Sequence, residues 1–435
     1  MKITKSYAVK IKHFNKIFDR TIKLYSDAVW FICDVIKSEY SSIEELSNSK
    51  EKYNFIENLI HTTKDNKAKY DFDSHFVNFP SYYRRSAVAT ALGKFNSWYS
   101  NHKNWEINKQ GKEPKLTTSY LVMPCFYKKN TFNKTDDIYV VQIKIYYNNS
   151  WDYIDIPLKR SDVNYIQKHC YALKECAPSL VKEHKNYYLR FPYECTVKVD
   201  NKKPNIICAV DLGVNHVAVC SIMTKEGTVL KRKFISCNRE EDSLCHYLNK
   251  IKKHQKMGSK ENKTLWAKVN NFNRRMSILA SNEIVEFAKL NNAEVIVFEY
   301  LDFNGKKRGN KKQRLALWRK RDIQKRVELN AHCLGISVAR ICAYNTSRLA
   351  FDGSGQVTRD DNNYSICTFA TGKIYNCDLS ASYNIGARFF IKNIEKTLSE
   401  KKWLQLVAKV PSASKRSTCT LSSLLQLNTL LTSAS

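Results

Sequence analysis

Apolar and polar residues are arranged along the first half of the chain in two kinds of pattern. In residues 14–39 the apolar side chains recur at helical spacing, and residues 81–105 show a helical pattern with interleaved aromatic and basic side chains. From residue 113 to residue 200, short apolar or alternating runs are separated by turn residues, which is typical of antiparallel strands. With the alternating segment 1–12, these strands predict a small antiparallel β-barrel, and the helices predict a helical lobe, residues 13–112, inserted into it.

The second half alternates between buried strands and helices. The polar segment 201–205 marks a boundary, and the apolar residues 206–210 then predict a buried strand that ends in Asp211. A turn containing Gly213 leads into the next strand. Further strands are expected near residues 217–222, 229–235, 294–299 and 336–343, and helices within 242–290 and 313–334 and from residue 378 onward. This pattern predicts an α/β domain with a mixed sheet over residues 203–395, and the first half is α+β.

Three acidic residues stand at the ends of these predicted elements. Asp211 ends the first strand of the second half, Glu299 ends a later strand, and Asp378 opens the last helix. Asp211 alone is equally compatible with an ordinary turn aspartate, but strand ends at one edge of a sheet converge on a single site. Three converging carboxylates repel one another unless cations bind, and hard oxygen ligands favour Mg²⁺ or Mn²⁺. Two such ions can clamp the attacking water and the leaving oxygen of a phosphodiester.

The net charge of the chain points to a polyanionic partner. Lys and Arg total 72 against 41 Asp and Glu, which gives a formal charge of +31. A nucleic acid explains such an excess economically, because each neutralised phosphate releases counterions. The alternative is a ribosomal-type or merely alkaline protein. A membrane surface is disfavoured, because the sequence has no long amphipathic basic helix and no lipidation motif.

Composition also bears on the cellular compartment. The sequence contains no run of 18 or more apolar residues, and residues 1–14 lack the apolar core of a signal peptide. Its 14 cysteines are scattered and form no C-x-x-C pair, which fits a reducing compartment. These features predict an intracellular protein.

Basic and aromatic residues on two predicted helices are candidates for contacts with nucleic acid. Aromatic rings stack on bases and arginines pair with phosphates. The aromatics of the helix after residue 81 are equally compatible with a core, whereas nucleic acid is favoured for its arginines, and the basic residues of the region 242–290 are equally compatible with a solvated helix face. The candidates are Tyr82, Arg84, Arg85, Lys94, Arg274 and Arg275.

The segments around the three acids resemble the RuvC blocks of the TnpB family of transposon-encoded RNA-guided nucleases, which are relatives of the compact type V CRISPR effectors. The first block is matched by VDLGVNHVAV, which contains Asp211. The second is matched by VIVFEYL, which contains Glu299, and the third by DLSASYNI, which contains Asp378 and Asn384. The order of the acids also fits RuvC, whereas the related D-D-E transposases end on a glutamate. The resemblance covers about residues 1–395. Beyond it, residues 396–435 predict a poorly ordered tail.

The resemblance implies an RNase H-like (RuvC) fold with a basic helical lid at residues 242–290 and a wedge-like barrel in the first half. It implies an RNA-guided DNA endonuclease in which Asp211, Glu299 and Asp378 hold two Mg²⁺ ions. The expected partners are a guide RNA from the transposon end and a target double-stranded DNA, with a target-adjacent motif read by the N-terminal lobes. The protein is expected to act as a monomer in the prokaryotic cytoplasm and nucleoid, with no membrane partner.

One departure from the family concerns the zinc ribbon expected between the last two blocks. Leu349 and Asp352 stand where cysteines are expected, and Ala370 stands where the partner of Cys367 is expected. A structural zinc needs four N or S ligands, so we predict that the insert at residues 346–377 folds without zinc.

Three other functions remain open at this stage. A compact type V CRISPR effector shares these motifs and would differ in its genomic neighbourhood. A non-cleaving RNA-guided repressor is expected to have lost an acid, whereas all three are present here. A structural RNA-binding protein would leave the acids at the ends of these elements without a role.

Overall fold

A computed structural model describes most of the chain, and its contacts divide it into two compact units, Lys2–Cys195 and Thr196–Ser435. The described residues are 2–12, 15–109, 111–117, 120–183, 185–197, 204–213, 216–259, 261–300, 319–360, 363 and 365–433. None of the helices in these ranges has both the length and the apolar character needed to cross a membrane. Part of the helix expected at 313–334 lies outside the described residues.

Helices of the first unit pack around one long helix. Their bounds are Asp19–Ser38 (α1), Tyr40–Glu44 (α2), Ser49–Ile60 (α3), Phe72–His75 (α4), Ser81–Asn108 (α5) and Arg160–Cys170 (α6), with a 3₁₀ turn at Asn15–Phe18. Helix α1 lies against α5, and the Tyr25 hydroxyl is 2.8 Å from Ser86 Oγ between them. The apolar stripe of α1, which includes Ile22, Val29 and Ile36, is buried in this contact.

Strands of the first unit form antiparallel pairs. Their bounds are Lys2–Lys10 (β1), Phe132–Lys134 (β2), Val140–Tyr147 (β3), Ser150–Pro157 (β4), Lys174–Glu175 (β5), Ser179–Glu183 (β6) and Asn186–Thr196 (β7). One sheet has the order β1-β7-β5, with β6 also pairing β7, and another has the order β2-β3-β4. An isolated bridge between Ile11 and Leu158 connects the ends of β1 and β4. Closure of these sheets into a barrel stays a prediction.

The second unit is built on a mixed sheet. Its strands are Ile206–Asp211 (β8), Ala218–Thr224 (β9), Val229–Ile235 (β10), Val295–Tyr300 (β11), Ser337–Cys342 (β12), Thr358–Arg359 (β13), Ile366–Thr368 (β14) and Ile374–Asn376 (β15). The central order is β10-β9-β8-β11-β12. Strands β8, β9 and β10 are antiparallel, whereas β11 is parallel to both β8 and β12. The carboxyl ends of β8 and β11 therefore lie side by side.

Helices cover both faces of this sheet. They are Asn238–Lys256 (α7), Lys263–Leu290 (α8), Lys320–His332 (α9), Cys377–Thr397 (α10), Glu400–Lys409 (α11) and Leu421–Ser433 (α12), with a 3₁₀ turn at Pro411–Ala413. Because side chains alternate along a strand, Cys208 and Val210 of β8 face the α8 and α9 side. Ile207 and Ala209 face the α10 and α12 side. The predicted basic region 242–290 comprises α7 and α8.

The expectation of a poorly ordered tail at residues 396–435 was wrong. Helices α11 and α12 fold against α10, and Leu421, Leu424 and Leu427 are buried in the core of the second unit. The leucines recur at helical spacing within a segment whose Ser and Thr content suggested disorder. The apolar stripe, and not the mean composition, decided the outcome.

Candidate functional site

Asp211 lies at the carboxyl end of β8 and is almost fully buried, with 8% of its surface exposed. The turn that follows passes close to the start of α10. A Cβ added to Gly213 would be 2.7 Å from the backbone oxygen of His216 and 3.7 Å from Asp378 Oδ2. Because the first of these distances is too short for a real Cβ, Gly213 allows the backbone to pass close to the His216 carbonyl, and Asp378 lies within ordinary contact distance.

Glu299 lies one strand away, at the penultimate position of β11, with 7% of its surface exposed. The Thr346 hydroxyl donates a hydrogen bond to Glu299 Oε1. The Gln324 side chain on α9 donates to the Glu299 backbone oxygen at 2.9 Å. Both the backbone and the carboxylate of Glu299 are therefore fixed by neighbouring elements.

Asp378 occupies the first turn of α10, where the helix dipole favours a negative charge. Asn376 caps this helix, because its Oδ1 accepts a hydrogen bond from the Leu379 backbone N–H at 2.9 Å. Burial raises the pKa of Asp378, and the nearby His216 and Arg359 oppose that rise. Asn376 thus fixes the start of the helix, and the basic groups partly offset the cost of burying the carboxylate.

The three carboxyl groups share raised pKa values. Burial raises the pKa of Asp211 well above its ordinary value, and the charges of Glu299 and then Asp378 raise it further. Burial also raises the pKa of Glu299, although the Thr346 hydrogen bond and the Arg388 charge oppose that rise. Burial likewise raises the pKa of Asp378. The negative charge on one acid therefore disfavours ionisation of its neighbours, and a bound cation would relieve this repulsion.

The donor atoms suit a hard divalent cation, although the side chains are not gathered into one ligand shell. In the ranges described, no three His, Cys, Asp or Glu side chains form a ready metal-binding cluster. The acids predicted from the sequence are nevertheless near one another, since the charges of Glu299 and Asp378 add to the effect of burial in raising the pKa of Asp211. Carboxylate oxygens are the ligands that Mg²⁺ and Mn²⁺ prefer, so the residues fit such an ion chemically.

A hydrogen-bond network centred on α10 supports the region around the three acids. Apart from Asn384, the residues of this network were not predicted from the sequence. Asn384 Nδ2 donates to the backbone oxygens of Thr346 (3.0 Å) and Leu349 (2.9 Å), and its Oδ1 accepts from the Leu421 N–H at 3.2 Å. One polar side chain therefore joins the loop that carries Thr346 to the start of α12.

Arg388 extends the same network one turn further along α10. Its guanidinium donates to the backbone oxygens of Cys342 (2.8 Å), Tyr344 (2.7 Å), Ser417 (3.1 Å) and Cys419 (3.1 Å). The signal for this role was present in the sequence, because Arg388 is a lone charged residue in the apolar stretch Ile385–Ile391. A cation in such a stretch needs buried acceptors.

Arg84, a candidate for nucleic-acid contact, is buried within the first unit, with 6% of its surface exposed. Its Nη2 is 3.3 Å from Glu57 Oε1, and its Nη1 is 4.0 Å from Asp73 Oδ1. Because its guanidinium is committed to these carboxylates, the structure places Arg84 among supporting residues.

Arg85 and Tyr82 lie together on α5. The Arg85 guanidinium is 5.3 Å from the centre of the Tyr82 ring, and Arg85 Nε is 3.5 Å from Glu57 Oε2. Arg85 is exposed and Tyr82 is half-buried. The exposed arginine keeps most of its surface available to a partner.

Lys94 lies on the same helix between two aromatic rings. Its ammonium group donates to the Tyr120 hydroxyl at 2.7 Å and lies 5.3 Å from the centre of the Trp30 ring. In the second unit, Arg274 and Arg275 are exposed on α8. Arg275 Nε is 3.0 Å from Glu240 Oε1.

The insert between β12 and α10 has a small core of its own. Strands β13, β14 and β15 pair in that order, and Ala350, Cys367, Phe369 and Cys377 are buried against them. The Phe351 ring lies 5.4 Å from Phe369 and 5.1 Å from Tyr375. Apolar and aromatic packing is thus the observed basis of this fold.

Comparisons with known proteins agree with the resemblance carried by the three motifs. The sequence profile of the Aq_aa04 family matches residues 5–147. The TnpB-like protein aq_aa05 of Aquifex aeolicus (strain VF5) is 25% identical over 229 residues, which cover 47% of this chain and 74% of that protein.

The cryo-EM structure of a Cas12f1–sgRNA–target DNA complex is similar to this chain with a TM-score of 0.54 and 14% identity. The match covers 86% of this chain and 81% of the Cas12f1 chain, and at this identity it concerns the fold. Both comparisons agree with the resemblance: the chain is similar in sequence to a TnpB-like protein and has a mixed α/β fold similar to that of a Cas12f1 chain.

Proposed function

We propose that this protein is an RNA-guided endonuclease that hydrolyses DNA phosphodiesters at Asp211, Glu299 and Asp378. The observation that carries the proposal is the neighbourhood of three acids at the ends of β8 and β11 and the start of α10, of which Asp211 and Glu299 are buried and Asp378 is half-buried, with the pKa of each raised. Burying an ionised carboxylate costs free energy unless it is paired, hydrogen-bonded or bound to a cation, and acids with perturbed pKa values cluster at functional sites. The net charge of +31 supports a nucleic-acid substrate.

Two Mg²⁺ ions, or Mn²⁺, held by these carboxylates would activate water and stabilise the charge that develops on the phosphodiester. The residues of the chain supply the positioning. Thr346 and Gln324 fix Glu299, and the turn at Gly213, directly after Asp211, passes within contact distance of Asp378. Arg359, whose charge acts on both Asp211 and Asp378, would help to attract the phosphate. The products would carry 5′-phosphate and 3′-hydroxyl ends.

The partners proposed for this chain are a guide RNA and a target double-stranded DNA. The similar Cas12f1 structure is a complex with a single-guide RNA and target DNA, which supports the same classes of partner. For this chain we propose a guide transcribed from a transposon end, a target-adjacent motif read by the first unit, and a monomer acting in the prokaryotic cytoplasm. No zinc is required in this proposal, because the insert packs around aromatic side chains.

Two related functions would use the same fold. A compact type V CRISPR effector would take its guide from a CRISPR array, and the genomic neighbourhood distinguishes it. A non-cleaving guided repressor would bind target DNA without hydrolysis. The presence of Asp211, Glu299 and Asp378 favours cleavage over repression.

Guided cleavage is the direct test. The chain is co-expressed with its flanking RNA, and the purified complex receives a matched plasmid with a randomised flanking motif and Mg²⁺. We expect cutting that is abolished by EDTA and by Asp211→Ala, Glu299→Gln or Asp378→Asn, while target binding persists. Glu226→Gln, which changes an exposed acid away from these three residues, serves as the matched control.

The outcomes separate the alternatives. Guide-dependent binding without cutting in the unaltered protein would favour the repressor. Purification of the chain without any bound RNA would contradict the guided function altogether.

A further inference from the structure

A pocket of about 420 Å³ lies at the edge strand β12, next to the residue that follows Glu299. Its walls come from the end of β11, from β12, from α10 and from the segment 403–419 that was expected to be disordered. Pockets of roughly 300 to 1,000 Å³ accommodate small molecules or single monomers of a polymer. This volume excludes a nucleic-acid duplex and admits a single nucleotide.

The charge of the pocket is strongly positive. Arg340, Arg388, Lys392 and Arg416 contribute to its walls, against the single acid Glu395. Arg340 is committed to Glu328, with its Nη2 2.7 Å from Glu328 Oε2. Arg388 is committed to backbone oxygens, although its charge remains. Lys392 and Arg416 are thus the cations left to bind an anion, since neither forms an ion pair with any acid in the ranges described.

Two aromatic side chains complete the pocket. Tyr300 has 62% of its surface exposed although it is the last residue of the otherwise buried strand β11, and Trp403 is half-buried on α11. Bases stack on such rings with little preference for sequence, which is how single strands are commonly held. Cations and rings in one pocket match a phosphate joined to a base better than they match an isolated phosphate.

We propose that this pocket binds one nucleotide of a single nucleic-acid strand, with its phosphate at Lys392 and Arg416 and its base against Trp403 or Tyr300. The inference rests on the proposed function, because a strand held there would run past Glu299. The C-terminal segment then forms part of the substrate path. Arg388 fixes the backbone at Ser417 and Cys419 and so holds Arg416 at the pocket. The strand is either DNA or RNA, since both present the same phosphate and stacking chemistry.

Photocrosslinking of the full chain tests the assignment. Short single-stranded DNA and RNA oligonucleotides containing 5-bromouracil are irradiated with the purified protein, and the adducts are mapped by mass spectrometry. We expect adducts at Trp403 or Tyr300 that are lost in the double variant Lys392→Ala, Arg416→Ala. The double variant Lys401→Ala, Lys409→Ala removes two exposed lysines of α11 outside the pocket walls and should retain the adducts.

The salt dependence of binding gives a second readout. The slope of log Kobs against log salt is negative, and each lost phosphate contact with a single strand reduces its magnitude by about 0.7. The pocket variant should therefore reduce the magnitude by roughly 1.4 if both cations bind phosphates. Adducts with DNA alone would assign the pocket to a target strand, and adducts with RNA alone would assign it to the guide. Adducts confined to other parts of the chain, or unchanged in the pocket variant, would overturn the assignment.

The same samples are tested for guided cleavage, so that the two proposals can fail separately. Cutting by the unaltered protein without an adduct in the pocket overturns only the pocket assignment. Pocket adducts in a protein that never cuts, with its guide and Mg²⁺ present, overturn only the proposed endonuclease function.

Discussion

The hydroxyl of Thr346 donates a hydrogen bond to Oε1 of Glu299, and the backbone of Thr346 is in turn held by Asn384 of α10. Glu299 ends a strand of the central sheet, whereas Thr346 lies in the loop after the edge strand β12. The carboxylate is therefore oriented by a residue that is 47 positions away in the sequence. This relationship makes Thr346 a positioning residue for the proposed reaction.

Replacing Thr346 with valine should slow guided cutting without unfolding the protein. Valine keeps the shape of threonine but removes the donor, and a hydrogen bond to a charged group contributes about 1.5 to 3 kcal/mol. We expect single-turnover cleavage to fall about 10- to 100-fold, since roughly 1.4 kcal/mol corresponds to a factor of ten. Thr346→Ser should restore most of the rate, because it restores the hydroxyl. A valine variant that cuts at the normal rate would exclude this positioning role.

Asp211 should make the stability of the metal-free protein depend on pH. Its pKa is raised in the folded state, chiefly by burial and then by Glu299 and Asp378. Such a group stabilises the fold below its unfolded pKa and loses that contribution as pH rises through the folded pKa. Asp211→Asn removes this dependence. In EDTA we therefore expect the Tm of the variant minus that of the unaltered protein to increase from about pH 5 to about pH 8.

Added Mg²⁺ should reduce that difference at the higher pH, because a bound cation offsets the repulsion among the acids. Calorimetry of both proteins with and without Mg²⁺ measures this without reference to cleavage. A difference in Tm that is independent of pH would show that Asp211 is not destabilised by ionisation.

Arg84 and Arg85 are adjacent, but we expect opposite consequences from their replacement. Arg84 is buried between Glu57 and Asp73, and removing one partner of a buried ion pair costs roughly 3 kcal/mol. For a domain of this size, that corresponds to a Tm lowered by roughly 6 to 12 °C. Arg85 is exposed, so Arg85→Ala should cost less than about 1 kcal/mol. Thermal unfolding of the two alanine variants compares them, and equal losses would contradict the buried role of Arg84.

Leu424 and Leu425 test whether the C-terminal helix belongs to the second unit. Leu424 is fully buried and Leu425 is exposed, although both lie on α12. Truncating a buried leucine to alanine costs about 2 to 5 kcal/mol, whereas an exposed one costs little. We expect Leu424→Ala, and not Leu425→Ala, to lower the Tm by several degrees. A segment that moved freely in solution would show no difference between the two.

The insert should keep its fold without zinc. Metal analysis of the purified chain is expected to show zinc far below one ion per chain, and zinc chelators should leave its resistance to proteolysis unchanged. Phe351→Ala should loosen the insert more than Cys367→Ala does, because the Phe351 ring contacts Phe369, Tyr375 and Tyr383. If the purified chain contained one zinc ion per molecule and the Cys367→Ala variant did not, the prediction of a zinc-free insert would be wrong.

Local patterns in the sequence were sufficient for the elements that carry the proposed chemistry. Five apolar residues before Asp211 require a buried strand, because an apolar run of that length cannot remain in water without cost. The run before Glu299 does the same, and the polar residues around Asp378 cap a helix. These outcomes depend on neighbours within a few residues, so the strands, helix α10 and the likeness to the TnpB family could be predicted.

Other features depended on residues that are distant in the sequence, and only the tertiary structure decided them. The burial of Arg84 and its ion pair with Glu57 result from the packing of α5 against α3. The order of α11 and α12 follows from burial of Leu424 against α10 and from the hydrogen bond between Leu421 and Asn384. Composition cannot predict such contacts, because the stabilisation of a side chain depends on which residues of the folded chain pack against it. The sequence determined which residues can form the acidic site, and the fold decided which others hold them in place.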